Sequence, residues 1–264
     1  MFNFNGSTAL VTGASRGLGA AFARQLASRG ANLVLVARSR SPLRDLANAL
    51  SHEHDVECIP LEADLAAPNV AQQIAHTLDQ WGLHVDLLIN NAGLGLTGSF
   101  LEHSLDRELS TLQVNMLSLV GLTHALGQRM VLRGQGGIIN LSSNAAFLPL
   151  PNLATYAASK AFVLHFTEAV RSEMRASGVR VMAVVPGPTA TSFFDGIATR
   201  MHPSEFDDAD EVARRTLSAF VIGDPIAYPG RWSVRLGTLL VRLGSRESVV
   251  RAAASKTRKM GLGS

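Results

Sequence analysis

The chain has 264 residues and a formal charge of +3, but residues 229–264 alone carry eight basic residues against one acid, +7, leaving −4 for residues 1–228. An acidic body lacks the basic stripe that a nucleic-acid reader needs, so no nucleic-acid partner is expected. With 47% hydrophobic and 17% charged residues the chain supports a large core and is not disordered, and a single cysteine, Cys58, excludes an intramolecular disulfide.

Short apolar runs alternate with helix-period segments from the start. Thr8–Thr12 reads as a buried strand. Residues 18–28 read as a helix with Leu18, Phe22 and Leu26 on one face, stopped at Gly30. Asn32–Ala37 is the next strand, and Ser41-Pro42 opens a helix. A third strand is expected at 56–61, a helix at 70–81 and a fourth strand at 85–90. One long helix should cover 105–132, followed by a strand at 137–141, a helix at 155–176 and a sixth strand at 179–185. This alternation predicts an α/β fold, a single doubly wound, Rossmann-like parallel sheet with helices on both faces. No linker divides residues 1–228, with 192–215 expected as a lid. Residues 229–264 are expected as a basic extension, a helix followed by a mobile tail.

The first strand runs into Gly13-Ala14-Ser15-Arg16-Gly17-Leu18-Gly19 and then a helix. Glycines there allow a tight turn and close approach to a pyrophosphate, and the helix N-terminus supplies amide donors. The second strand ends at Arg38 where an acid would bind ribose hydroxyls. Arg16 and Arg38 together suit a 2′-phosphate, so NADP(H) is the expected cofactor. Asp64-Leu65 and Asn90-Asn91-Ala92-Gly93 follow the third and fourth strands, where a dinucleotide would extend. Asp64 suits an adenine amino group or a helix cap, and both roles stay open.

Tyr156 and Lys160 stand four apart at the start of a predicted helix, on one face. An ammonium beside the phenol is expected to lower its pKa and make the pair competent to exchange a proton with an alcohol or carbonyl oxygen. With the glycine loop, the Asn-Asn-Ala-Gly turn, Asn115, and Ser143 thirteen residues before Tyr156, the sequence resembles the short-chain dehydrogenase/reductase family over about residues 5–225. The resemblance implies that Tyr156 is the general acid/base. It implies that Lys160 lowers the Tyr156 pKa and binds the nicotinamide ribose. Ser143 would hold the substrate oxygen, and Asn115 would hold a relay water linked to Lys160. The segment containing Pro186, Gly187, Thr189 and Thr191 would contact the nicotinamide carboxamide. The resemblance also implies homodimers or homotetramers through the helices containing Asn115 and Tyr156.

Leu94, Phe147, Leu148, Phe193 and Phe194 are expected to line an apolar substrate site. This suits a small lipophilic ketone or alcohol, steroid-like, terpenoid or fatty. The alternatives are reduction of 3-oxoacyl thioesters, or an NADPH-binding regulator without turnover. His52-Glu53-His54 reads as a solvated loop with no metal. Asp208 to Glu211 reads as a helix start. In the extension, Trp232, Leu236, Leu239, Leu240 and Leu243 share one helical face, beside Arg231, Arg235 and Arg242. That face is expected to pack on the domain or a neighbouring subunit, with peripheral membrane contact as the other possibility. No signal peptide or membrane span is apparent, and a cytoplasmic protein is expected.

Overall fold

The computed structural model describes residues 2–191, 199–241 and 244–262. Seven strands form one parallel sheet: β1 (Thr8–Thr12), β2 (Asn32–Ala37), β3 (Cys58–Glu62), β4 (Leu87–Asn90), β5 (Gly136–Leu141), β6 (Val179–Val184) and β7 (Ile226–Ala227). Their spatial order is β3-β2-β1-β4-β5-β6-β7. The doubly wound sheet expected from the alternation is present. Its strands are apolar on both faces because both faces are covered.

Side-chain alternation divides the core in two. Val11, Leu33, Leu35 and Ile89 face one way and meet α1 (Gly17–Ala27), α2 (Arg40–His54) and α7 (Ala209–Ile222) through Phe22, Leu26, Leu43 and Phe220. Leu10, Val34, Val36 and Leu88 face the other way and meet α3 (Val70–Gln80) and α5 (Ser118–Arg133) through Ile74, Leu78, Leu122 and Met130. α6 (Ala154–Met174) joins this second face through Val170. Burying each such side chain contributes roughly 1.5–3 kcal/mol.

The elements depart from expectation at several points. The third strand begins at Cys58, because its register pairs Cys58 with Leu33 while Asp55 ends α2 in a left-handed conformation. The long helix is three pieces: α4 (Leu105–Leu112), a π-helical turn over Gln113–Leu117, and α5. β7 spans two residues, too few for any periodic signal. Asp208 caps α7 by accepting from the Glu211 amide at 2.8 Å, as its position predicts. Residues 209–215, assigned to a lid from the sequence, are the first turns of α7, with Val212 and Ala213 buried.

The basic extension differs most. It forms two helices, α8 (Trp232–Leu240) and α9 (Arg246–Lys259). The stretch from Lys256 to Lys259, expected to be mobile, closes α9, and Thr257 and Leu262 are buried. The chain end is tied back where the Met260 carbonyl accepts from the Arg200 amide at 2.8 Å and the Thr199 hydroxyl at 3.2 Å. α8 is turned over relative to the expected packing. Val234 and Thr238 face inward, while Trp232, Leu236, Leu239 and Leu240 face solvent. Leu243 lies outside the described residues. Among the described residues no helix is long and apolar enough to cross a membrane.

Candidate active site

β1 and β4 are neighbours whose chains continue in opposite directions across the sheet, which opens a crevice at their C-terminal ends. Thr12 braces that crevice. Its hydroxyl accepts from the amides of Asn91 and Ala92, each at 3.0 Å, and donates to the Ile89 carbonyl at 3.3 Å. The Asn91 side chain returns a bond to the Thr12 carbonyl at 2.9 Å. Beyond Thr12 the backbone turns through Gly13 at φ +66° and Gly17 at φ +56° into α1. Gly19 is buried under this turn, where a Cβ would run into the Gly13 carbonyl oxygen and lie 2.6 Å from the Asn91 amide nitrogen. Thr191 reaches over the loop from the other side, 3.0 Å from where a Cβ on Gly17 would stand.

This end of the cleft fits a phosphorylated dinucleotide. No side chain caps α1 at Arg16 and no acid occupies its first turn, so its dipole and leading amides face the cleft. Gly13, Ser15, Arg16, Gly17 and Leu18 line it, and across from them stand Arg38 and Ser39 at the end of β2. Arg40, one residue further, lies 3.8 Å from Glu62 and is directed to that acid instead. Asp64 and Leu65 line the cleft too. The Asp64 carboxylate accepts from the Ala66 amide at 3.0 Å and closes a local turn, while α3 starts later, at Val70, with Asn69 as its N-cap.

The residues expected to handle the proton meet where β5 and α6 diverge. Tyr156 and Lys160 share the inward face of α6, and Ser143 follows β5. The Tyr156 phenol is hydrogen-bonded to Ser143, and the Ser143 hydroxyl also accepts from the Ala145 amide at 3.1 Å. Ser142 points elsewhere, donating to the Lys160 carbonyl at 2.8 Å, which leaves Ser143 as the hydroxyl beside the phenol. Lys160 is buried, donates to the Leu141 carbonyl at 2.8 Å, and sits 5.8 Å from the Tyr156 ring centroid.

The expected direction of the Tyr156 pKa is reversed in this structure. Burial pushes the phenol up, and only the Ser143 bond opposes it. Burial likewise pulls Lys160 down to about 8. Desolvation therefore outweighs the attraction expected from sequence proximity, moving the phenol up from its ordinary 10.0 and the ammonium down from its ordinary 10.5.

Asn115 lies in the π-helical turn and is buried. Its Oδ1 accepts from the Leu94 amide at 2.8 Å, and its amide hydrogens go to the Leu94 carbonyl at 2.9 Å and the Ser159 hydroxyl at 3.0 Å. Asn115 thus staples the segment after β4 to α6, beside Lys160. Both of its side-chain donors are committed there. Asn90 points into the sheet, donating to Asn140 at 2.8 Å and Thr123 at 3.1 Å, and does not line the cleft.

One cleft of about 1000 Å³ joins these two centres. Asn91, Ala92, Gly93, Pro186, Gly187, Thr189 and Thr191 all line it, as do Leu94, Phe147 and Leu148. Phe193 and Phe194 lie outside the described residues. The extension covers part of the cleft: Val234, Thr238 and Val241 come from α8 and the residue after it, and Ala253, Thr257, Met260 and Leu262 from α9 and its end. Helical periodicity ranked the larger apolar arc of α8 as the inward one and so missed these residues. Also unforeseen is His103, held between the Glu108 carboxylate at 2.8 Å and the Thr97 carbonyl at 3.2 Å, which fixes the wall containing Thr97.

Residues 7–201 match the family model for short chain dehydrogenase. The very-long-chain 3-oxoacyl-CoA reductase of Rattus norvegicus is 34% identical over 190 residues, covering 70% of this chain and 60% of the relative. The 17-beta-hydroxysteroid dehydrogenase type 3 of Homo sapiens is 30% identical over 220 residues, or 83% of this chain and 69% of the relative. A solved short-chain dehydrogenase from Sphingobium yanoikuyae in complex with NADPH has a TM-score of 0.82 and 32% identity, covering 94% of this chain and 97% of that one. The chain spans about 60% of the length of the 3-oxoacyl-CoA reductases it matches.

Proposed function

Since the chain belongs to the short-chain dehydrogenase/reductase family, we propose that it is an NADP(H)-dependent oxidoreductase interconverting a lipophilic ketone and its alcohol. The observation that carries this is the Ser143–Tyr156 hydrogen bond, with Lys160 beside it, in a cleft walled by Leu94, Phe147 and Leu148. NADP(H), when bound, supplies or takes the hydride at the carbonyl carbon.

The protein's part is orientation and proton transfer. Tyr156 holds the proton at physiological pH and gives it to the carbonyl oxygen as charge develops there. Ser143 donates to the same oxygen and fixes its position beside the phenol. Lys160, with its pKa near 8, stabilises the phenolate left behind and passes a proton back to it. With the cofactor bound, its ammonium would also hold the nicotinamide ribose. Asn115 acts by position, keeping Gly93 and Leu94 against Lys160. Pro186, Gly187 and Thr191, which line the cleft, would hold the nicotinamide end of the cofactor.

Arg16, at the α1 N-terminus, and Arg38, across the cleft from it, support the preference for a 2′-phosphate, and neither is replaced by an acid. Arg38→Asp should shift the ratio of kcat/KM for NADPH over NADH by at least about tenfold toward NADH. An unchanged ratio would mean Arg38 does not discriminate.

A second reading, reduction of 3-oxoacyl thioesters, is favoured by Lys256, which lines the cleft from α9 and suits the phosphates of a thioester carrier. NADPH oxidation measured against bulky ketones, steroid ketones and 3-oxoacyl thioesters decides between them. Turnover confined to the thioesters would replace the first reading by the second, and binding of NADPH without any turnover would remove both. The exposed Leu105, Leu109 and Leu117 around α4 support a homodimer or homotetramer.

A further inference from the structure

α8 is apolar on both sides. Its inner side closes the cleft through Val234 and Thr238. Its outer side leaves Trp232 77%, Leu236 42%, Leu239 51% and Leu240 57% exposed. These four occupy one arc of the helix at i, i+4, i+7 and i+8, and none of them lines the cleft. A contiguous face of one tryptophan and three leucines at the surface marks a binding surface rather than scattered exposure.

The charge around that face selects its occupant. Arg235 is exposed beside the apolar arc, Arg231 at its start is drawn to Asp207 at 3.4 Å, and α9 carries the exposed Arg246, Arg258 and Lys259. Glu247 is the sole acid of residues 229–264, and it is paired with Arg251 at 2.9 Å. Arg235 lies over the Tyr228 ring at 5.6 Å, so its charge is held at the helix edge. A second copy docked through this face would set its own Arg235 and basic extension against those of the first, which is repulsive. An anionic lipid surface meets both features: it takes the apolar arc among its acyl chains and attracts the surrounding cations. Tryptophan is the side chain best suited to the boundary between the two.

We propose that the outer face of α8 docks the protein peripherally on an anionic lipid bilayer, with the cations of the extension holding it there. The lipid would then lie one helix thickness, about 10 Å, from the cleft that α8 closes.

The test is cosedimentation of the full chain with vesicles of phosphatidylcholine, alone or mixed with phosphatidylserine. The expected result is binding to the mixed vesicles that weakens with added salt. Trp232→Glu combined with Leu240→Glu should lower the partition by at least about tenfold. Arg258→Glu combined with Lys259→Glu should lower it only on the anionic vesicles. An unchanged melting temperature and unchanged turnover of a water-soluble ketone show that these variants fold. Absence of binding by the wild type, or equal binding by the Trp232/Leu240 variant, overturns the proposal. So does a wild-type oligomer that leaves vesicles untouched and dissociates in that variant, which would assign the face to a second copy.

Discussion

Replacing Lys160 by methionine removes a buried ammonium while keeping most of its apolar stem. Lys160 is 5% exposed, and burial lowers its pKa from 10.5 to about 8. An ammonium with a depressed folded pKa destabilises the fold wherever it is charged in both states, here below about pH 8. Between about 8 and 10.5 the folded chain has released the proton and the unfolded chain still holds it, so stability rises with pH. The full span corresponds to roughly 3 kcal/mol. The variant also loses the bond to the Leu141 carbonyl, at a cost of about 1–2 kcal/mol. Lys160→Met should therefore be more stable than wild type by about 1–2 kcal/mol at neutral pH, and less stable by a similar amount near pH 10.5. Urea unfolding of both proteins at a series of pH values measures this, and groups common to both cancel in the difference. Parallel stability curves, with no crossing, would refute burial as the origin of the Lys160 shift. Turnover should be lost in the variant throughout.

Two further substitutions probe the cofactor end. Gly19→Ala places a methyl against the Gly13 carbonyl and the Asn91 side chain, and the loop must move to admit it. A loss of roughly 1–3 kcal/mol in thermal unfolding and weaker NADPH binding by fluorescence titration are expected. Thr12→Val keeps the shape but leaves the Asn91 and Ala92 amides without their acceptor, at roughly 1–3 kcal/mol for each group left unpaired. Its readout is the same pair of measurements, and stability equal to wild type would mean that Thr12 does not brace the crevice.

The parts of this molecule legible in its sequence are those set by local pattern. Alternating apolar runs identify the strands because both faces of a parallel sheet are buried. The glycine loop is readable from its place between strand and helix, and Ser143, Tyr156 and Lys160 from the family resemblance that their spacing helps to carry. Where several elements compete, pattern is insufficient. α8 offers two apolar arcs, and the packing turns the one with the smaller side chains, Val234 and Thr238, toward the cleft. The π-helical turn at Asn115 adds one residue to a helix without altering its polarity pattern, yet it turns that side chain toward Leu94 and Ser159. The pKa of Tyr156 depends on what surrounds it, and burial, invisible in a four-residue spacing, reverses the direction inferred from the neighbouring lysine.

In the proposed function Tyr156 moves the proton while the nicotinamide cofactor, when bound, supplies the hydride. NADPH oxidation by Tyr156→Phe, measured with a ketone that the wild type reduces, tests it most directly. The variant should bind NADPH with a Kd within about twofold of wild type, and its kcat should fall by about a hundredfold to ten-thousandfold. Turnover at the wild-type rate by the phenylalanine variant would contradict the assignment of Tyr156 as the proton donor.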